Sequence, residues 1–263
     1  MIGRFEAYGE WLRADPTGFG VYIVYLAATV LLSLILHECA HGYVALCCGD
    51  PTAKLMGRLT LDPRKHLDPI GTVFMFALGF GWAKPVPVNP RNFRELRRDY
   101  FLVSVAGIAV NLSLFVLCTG LSVLINWLML SGSAFDMSGA GVAEKALIYN
   151  SLGDMIVYGS ASLPAVLTEM MNFPWLQYVQ KFLLMMRQIN LALAVFNLIP
   201  VPPLDGYRLL DNLTKGRINL SQKAFQVIQA GFLVLCLTGL MGRGLSVVTG
   251  ALDDAVTNLF LLL

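Results

Sequence analysis

Long apolar segments separated by short polar loops dominate the pattern of the chain. Four of these segments cover about residues 19–48, 100–130, 182–199 and 224–241. A helix needs about 20 predominantly apolar residues to cross the hydrocarbon core of a bilayer, and the segments approach or exceed that length. The pattern therefore predicts an all-α integral membrane protein, a polytopic helical bundle of about four to six membrane segments.

The two ends of the chain carry a weaker form of this pattern. In residues 1–18, aromatic residues and a leucine recur at helical spacing between charged residues, which predicts a helix lying in the membrane interface. In residues 245–263, the adjacent acids Asp253 and Asp254 interrupt an apolar run. Two carboxylates are costly in hydrocarbon, so the pattern leaves open whether this last segment spans the membrane.

The stretch between the first two spans has a different character. Its apolar part, Ile70 to Trp82, is too short for a comfortable crossing, which favours a re-entrant segment buried against protein. Pro85 and Pro87 follow within Lys84 to Asn89, and their fixed backbone angles favour an extended conformation there. We therefore expect a re-entrant, partly extended segment at this point of the chain.

Composition agrees with a membrane protein and excludes several other classes. The chain is 56% hydrophobic and 14% charged, with a net charge of +2. It is too apolar for an ordinary soluble domain and too poor in charge for a disordered chain. The basic residues fall in short loops, around 91–98 and 208–223, which indicates a lipid bilayer and its topology rather than a nucleic-acid partner. The five cysteines show no Cys-x-x-Cys spacing, so neither a disulfide framework nor a thiolate metal site is expected.

The basic loops also predict an orientation. If both are cytoplasmic, the first helix runs from the outside to the inside and the N-terminus lies outside. The roughly neutral stretch 131–181 then forms a non-cytoplasmic loop insertion, with weak helical pattern around 143–157 and 163–171. No separate soluble domain is visible, so we expect residues 1–263 to form a single integral membrane domain.

Three ionisable residues interrupt the second half of the first apolar segment. His37 and His41 stand four residues apart, so on a helix both imidazoles project from one face and can share a metal. Glu38 lies beside the first histidine, where a carboxylate could take a proton from water that zinc has polarised. This His-Glu-x-x-His pattern is typical of zinc hydrolases. The alternative is that the histidines are hydrogen-bonded core residues, but three ionisable groups in an apolar helix carry a desolvation cost that favours the metal interpretation.

A catalytic zinc usually takes three protein ligands, so a third must come from elsewhere in the chain. The strongest candidate is Asp205, which follows three prolines at the end of the third span and precedes Gly206. The prolines forbid a regular helix and the glycine permits a tight turn, so Asp205 can turn inward. Taken alone, Asp205 could equally be a solvated residue after a proline-terminated helix. Asn197, still in the apolar part, carries an amide whose donors could hold the oxyanion of a tetrahedral intermediate.

Two motifs, His37 to His41 and Asn197 to Gly206, together resemble the signatures of the site-2 protease family of intramembrane zinc metalloproteases, which is peptidase family M50. The stretches 58–63, 66–72 and 84–90 are similar to the compact bacterial and archaeal members, which lack PDZ and CBS domains. The resemblance covers most of the predicted membrane core and implies a multi-pass protein of a prokaryotic cell membrane. The orientation predicted from the basic loops puts the active site in the cytoplasmic half.

The resemblance also implies roles for individual residues. His37, His41 and Asp205 would bind one Zn²⁺ per chain, Glu38 would activate water, and Asn197 would aid the oxyanion. Zinc suits two imidazoles and a carboxylate best, although iron or cobalt could occupy the same ligands.

Two other positions stand out beside the family motifs. Compact members usually have Gly-Pro-x-x-Asn in the next helix, and the chain keeps Gly107 and Asn111 without the proline. His66, the one remaining histidine, could contact the site or the substrate. Because two histidines and an aspartate already complete the expected ligand set, a structural hydrogen-bonding role is favoured for His66.

The predicted function is hydrolysis of a peptide bond in or next to a transmembrane helix of another membrane protein, by an intramembrane zinc metalloendopeptidase. One alternative is a membrane transporter or metal-handling protein that uses the same ionisable cluster, and another is a protease-like scaffold that no longer cuts. No internal repeat is visible in the apolar segments, which weighs against a transporter. The intact Glu38 weighs against a scaffold, which has no need of a base.

Overall fold

A computed structural model describes residues 2–69, 71, 83–130, 139–216 and 220–262 of the chain. In these residues the regular secondary structure is helical, apart from an isolated bridge between Leu67 and Ala83. Two short 3₁₀ helices, Pro63–Lys65 and Pro90–Asn92, accompany the α-helices. The α-helices are α1 Ile2–Ala14, α2 Pro16–Cys47, α3 Thr52–Leu55, α4 Leu96–Leu130, α5 Val142–Tyr158, α6 Ala165–Glu169, α7 Leu176–Asn197, α8 Asp205–Leu213, α9 Gln222–Leu237 and α10 Leu240–Leu261.

The long helices match the predicted membrane segments. Among the described residues, α2, α4 and α7 are each long and apolar enough to cross a membrane, and α9 with α10 passes the same test as a pair bent by 74°. The predicted all-α, polytopic membrane fold is therefore confirmed. The three long helices begin earlier than predicted, because helical hydrogen bonding continues through polar residues that a hydropathy pattern excludes.

The fourth span differs from its prediction as one continuous segment through residue 241. Helix α9 ends at Leu237 and α10 begins at Leu240. Gly239 lies at the break with a φ of +78°. This left-handed conformation costs glycine little and commonly ends a helix. The last segment, which the pattern left undecided, forms α10.

Two predicted regions lie partly outside the described residues. The predicted re-entrant segment, Ile70 to Trp82, lies outside the described residues except for Gly71. The stretch 84–89 that follows it contains neither helix nor strand. The predicted insertion contains α5 and α6, close to its two weak helical patterns. The division into an interfacial helix at 1–18 and a non-cytoplasmic insertion at 131–181 stays a prediction.

The chain divides into two compact units. The site unit comprises Leu31–Leu112 and Leu191–Thr249, and it contains all the predicted catalytic and metal-binding residues. The second unit comprises Ile2–Val30, Ser113–Asn190 and Gly250–Leu263.

The second unit has an apolar core with a polar centre. Tyr149 packs in the core, and its hydroxyl accepts a hydrogen bond from Arg187 Nη1 at 2.9 Å. The same guanidinium donates to Thr257 Oγ1 at 3.0 Å and to Asp253 Oδ2 at 2.7 Å, and it lies 5.2 Å from the centre of the Tyr149 ring. Arg187 is 5% exposed. Asp253, the acid that is costly in an apolar segment, is therefore paired with a buried arginine and is itself partly buried, with 21% exposure of its side chain.

Candidate active site

His37 and His41 lie one turn apart on α2 and project from the same face, as their spacing predicts. Their Nε2 atoms are 3.1 Å apart. Asp205 Oδ2 completes a triangle, 3.2 Å from His37 Nε2 and 3.1 Å from His41 Nε2. The three residues are 5%, 6% and 7% exposed. The fold thus brings the three predicted ligands together in a buried place.

The backbone around Asp205 explains how its side chain reaches the histidines. Leu204 is extended, with φ −68° and ψ 157°, and α8 begins immediately after it at Asp205. The carboxylate therefore stands at a helix N-terminus, where unpaired N–H groups favour negative charge. Gly206 packs directly on the carbonyl oxygen of Leu198, and a Cβ at this position would overlap that oxygen. Glycine is required here by close approach of the backbone rather than by an unusual φ.

The outer nitrogen of His41 is held by the neighbouring helix. His41 Nδ1 lies 2.7 Å from the carbonyl oxygen of Val103 in α4. Because a carbonyl only accepts, Nδ1 must carry the proton in the neutral ring, which leaves the lone pair on Nε2. That lone pair points into the triangle of ligand atoms.

The other histidine has an equivalent partner in α4. His37 Nδ1 lies 3.2 Å from Asn111 Nδ2, while the buried Asn111 Oδ1 has no hydrogen-bond partner among the described residues. Turning the amide by 180° places Oδ1 at this contact, where it accepts the Nδ1 proton and satisfies both groups. The lone pair of His37 Nε2 is then also free for a ligand. One turn earlier in α4, Gly107 faces the His37 ring so closely that a Cβ would overlap it.

The triangle fits a zinc ion in its dimensions and its chemistry. Zinc binds histidine nitrogen at about 2.0–2.1 Å and carboxylate oxygen at about 2.0–2.2 Å, so the edge of a tetrahedral site is about 3.3 Å. The observed edges of 3.1–3.2 Å come close to that value. Two lone pairs that face each other without a shared proton also need a cation between them. His37, His41 and Asp205 could hold a metal ion as a set.

The electrostatics of the site keep Asp205 ionised. Burial acts to raise the pKa of this carboxyl, but the imidazoles of His37 and His41, when protonated, donate hydrogen bonds to it that outweigh burial and hold the pKa well below its usual range. Arg208, one turn later in α8, places Nη1 3.8 Å from Asp205 Oδ1. One carboxylate oxygen therefore faces the histidines and the other faces a guanidinium, an arrangement that favours a single ligating oxygen.

Glu38, the predicted base, is half-buried on α2 next to His37. Its Oε2 accepts a hydrogen bond of 2.8 Å from the backbone N–H of Val86. Val86 belongs to the irregular stretch that the sequence predicts to be extended, so this stretch directly contacts the catalytic helix. Gly42, one turn further along α2, leaves room for the Val86 side chain, since a Cβ there would come within 2.9 Å of Val86 Cγ1.

Two other candidates lie outside the ligand triangle. Asn197, the last residue of α7, donates Nδ2 to the carbonyl oxygen of Leu193 at 3.0 Å. One of its two amide protons remains available, and its role at the oxyanion stays a prediction. His66 Nε2 lies 2.8 Å from the carbonyl oxygen of Thr60, so it fastens a loop and does not join the ligands. This contact supports the structural role that was favoured for His66.

Sequence reasoning did not assign the partners of the ligands. Asn111 and Gly107 carry a visible signal, because both belong to the Gly-x-x-x-Asn remnant of the family pattern. The hydrogen bonds of the Val103 carbonyl with His41 and of the Val86 N–H with Glu38 leave no signal in the sequence, because every residue has a backbone carbonyl and nearly every residue has a backbone N–H.

Comparison with known proteins agrees with the geometry. Residues 25–239 match the family described as Peptidase family M50. YwhC of Bacillus subtilis, provisionally named a zinc metalloprotease, is 37% identical over 239 residues, which cover 90% of each chain. Rip2 of Mycobacterium tuberculosis, with the same provisional name, is 28% identical over 76% of this chain and 62% of its own length. No solved structure matches the chain. With a family match that includes the three predicted ligands and the adjacent glutamate, the chain belongs to peptidase family M50 and is a zinc metalloprotease.

Proposed function

We propose that the protein is an intramembrane endopeptidase that hydrolyses a peptide bond in or next to a transmembrane helix of a membrane protein. The observation that carries this proposal is the position of the site. Both histidine ligands and the glutamate lie within α2, a helix of 32 residues that is long and apolar enough to span a bilayer. A hydrolase whose ligands lie within such a helix is expected to act on a substrate that enters the membrane as well.

The chemistry follows from the residues around the site. Zinc, when bound, supplies a Lewis acid that polarises water and the scissile carbonyl. Glu38 is placed to take the proton of the attacking water with Oε1, while Val86 holds Oε2. The same carboxyl then returns the proton to the leaving amine. Asn197 contributes its free amide proton to the oxyanion of the tetrahedral intermediate.

The stretch 84–89 supports a way of holding the substrate. A transmembrane helix hides its carbonyls in its own hydrogen bonds, so the substrate must unwind before attack. Pro85 and Pro87 have no N–H, so hydrogen-bond donors in this stretch come from the residues between and beside them. The N–H of Val86 faces Glu38, and in extended backbone Val88 points to the same side. A substrate strand that pairs along this edge would lie beside the catalytic base.

The proposed orientation places the site in the cytoplasmic half of the membrane. The basic loop at 91–98 directly precedes α4, and the loop at 208–223 follows the ligand Asp205. Since basic loops favour the cytoplasmic side, both would lie there, and the substrate would be cut near the cytoplasmic end of its helix.

The first test is cleavage of a panel of single-span membrane proteins by the purified protein in liposomes, with bound metal measured in parallel. The wild type should cut at least one substrate near its cytoplasmic end, and Glu38→Gln should keep the metal and lose the activity. A metal-loaded wild type that cuts no member of a broad panel would contradict the proposal and favour the scaffold or the transporter.

A second test addresses the substrate-binding edge. Val88→Pro removes an edge N–H that Glu38 does not use, so cleavage should fall while bound zinc is unchanged. Val86→Pro removes the Glu38 contact too and should be more severe. Normal turnover by Val88→Pro would refute strand pairing.

A further inference from the structure

The stretch that contacts Glu38 is fastened at both ends within the site unit. We call residues 83–92 the strap. At its first end, Lys84 donates its N–H to the carbonyl oxygen of His66 at 2.8 Å and accepts a 2.8 Å hydrogen bond on its own carbonyl from Arg58 Nη2. Arg58 is buried, with 8% exposure. Val86, which contacts Glu38, is therefore only two residues from Lys84, whose backbone is held by these hydrogen bonds.

The second end of the strap is fastened by one carboxylate, that of Asp50. This side chain is completely buried and accepts hydrogen bonds from Asn89 N at 2.6 Å, Asn92 Nδ2 at 2.8 Å, Thr52 N at 3.1 Å and the Thr52 hydroxyl. Burial acts to raise the pKa of this carboxyl, but these donors outweigh burial and hold the pKa below its ordinary value. The carboxylate is thus charged and saturated with donors.

The hydrogen bonds to Asp50 join the segment after α2 to the end of the strap. Asp50 and Thr52 lie in the segment after α2, and Asn89 and Asn92 lie at the end of the strap. Arg94 N, just beyond the strap, donates to Cys48 O, the carbonyl one residue past α2, at 3.1 Å. The strap therefore cannot shift along α2 unless the Asp50 contacts break.

A charged residue suits this position better than a neutral one. In the described part of the chain, no ion pair includes Asp50, so its cost of burial is met by hydrogen bonds alone. Hydrogen bonds to an ionised acceptor are about twice as strong as neutral ones. An asparagine would turn one oxygen into a donor that faces donors of the strap. The site is therefore built for a carboxylate with four donors.

We propose that Asp50 is a positioning residue for the catalytic base: by fixing the strap at Asn89 and Asn92, it fixes the Val86 N–H that orients Glu38. This inference rests on the proposed function, because the oriented group is the base of that reaction. A mispositioning of about 1 Å in a catalytic group can cost roughly 100-fold in rate. Asp50 lies nine residues after His41 in the sequence, and its hydrogen bonds come from Thr52, Asn89 and Asn92.

The test compares Asp50→Asn with the exchange variant Asp50→Asn/Asn92→Asp. In the exchange variant, the new amide oxygen can accept from Asn89 N while its NH₂ donates to the new carboxylate at position 92. Asp62→Asn is the matched control, because the Asp62 carboxylate also accepts from the backbone N–H two residues later, that of Arg64, but holds no residue of the strap. Each protein is measured for zinc content, kcat, KM and hydrogen–deuterium exchange of the strap.

Asp50→Asn should keep its zinc and lose about 10- to 100-fold in kcat, with faster exchange in residues 83–92 and unchanged protection in α2. The exchange variant should regain at least about tenfold of the loss, and Asp62→Asn should behave as the wild type. Unchanged exchange in the strap, or a loss of zinc equal to the loss of kcat, would overturn the inference. If the wild type cleaves nothing, the proposed function fails, and the exchange data still decide whether Asp50 fixes the strap at Glu38.

Discussion

The ion pair between Arg187 and Asp253 in the second unit leads to a prediction about the free energy of unfolding. Asp253→Leu removes the carboxylate that faces Arg187 at 2.7 Å and leaves a guanidinium that is 5% exposed. Breaking a fully buried pair costs about 3–5 kcal/mol, because the remaining charge keeps its desolvation penalty, and the 21% exposure of the Asp253 side chain reduces this cost. Tyr149 and Thr257 still accept from Nη1, and hydrogen bonds to a charged group contribute about 1.5–3 kcal/mol each. We therefore expect a loss near the lower end, about 3 kcal/mol.

The double variant Arg187→Met/Asp253→Leu distinguishes the destabilisation caused by an unpaired charge from the destabilisation caused by lost packing. With both charges gone, the free energy of unfolding should recover by at least about 2 kcal/mol relative to Asp253→Leu alone. Unfolding in mixed micelles with increasing denaturing detergent measures these differences. Asp254→Leu is the control, because its side chain is exposed on the same helix and should change stability by less than about 0.5 kcal/mol.

Two outcomes would refute this reasoning. If Asp253→Leu and Asp254→Leu lower the free energy of unfolding by the same amount, the ion pair between Arg187 and Asp253 does not stabilise the protein. If the double variant loses the sum of the losses of Arg187→Met and Asp253→Leu, each measured as a single variant, Arg187 and Asp253 are not energetically coupled.

Three other predictions follow from the geometry of the site unit. Asn111→Leu should weaken zinc binding about 10- to 100-fold in competition with a chelator, because His37 loses the partner that fixes its tautomer, and unchanged affinity would contradict the turned amide. Gly107→Ala should displace His37 and lose zinc, whereas Gly231→Ala, in open space on α9, should retain it; equal zinc content would count against the steric argument. The pKa of Asp50 is lower in the folded protein than in the unfolded chain, so its carboxylate stabilises the folded protein above the unfolded pKa, and this stabilisation is lost as the pH falls. The free energy of unfolding of the wild type should therefore decline below about pH 4, and Asp50→Asn should lack the part of the decline that comes from this carboxylate. Measuring the free energy of unfolding of both proteins from pH 6 to 3 would show the difference.

The sequence is most informative where a residue type is rare in its surroundings. Histidines and a glutamate in an apolar helix have few explanations, so the pattern of residues predicts a site at His37, Glu38 and His41, whereas Asp205, taken alone, could equally be a solvated residue after a proline-terminated helix. Hydropathy similarly predicts the long helices, because the bilayer requires them. The break at Gly239 is harder to foresee, since glycine also occurs within membrane helices.

Interactions made by the backbone or by distant partners could not be predicted. The Val86 contact with Glu38 depends on how a stretch with two prolines folds back on α2, and its amide has no signature in the sequence. Asp50 looks like an ordinary residue at the end of a helix, because two of its four donors come from Asn89 and Asn92, about 40 residues away in the sequence. Asp253 looked like an obstacle to a membrane segment because Arg187, its partner, lies 66 residues earlier.

That separation has a consequence for how the protein is made. Arg187 leaves the ribosome 66 residues before Asp253 does, which takes roughly 3–13 s at translation rates of about 5–20 residues per second. During this interval, α7 carries a cation whose counter-charge has not yet been synthesised, although its partner Tyr149 has. We therefore expect chains truncated before Asp253 to fold less stably than the full chain, because their arginine keeps its desolvation penalty without the carboxylate.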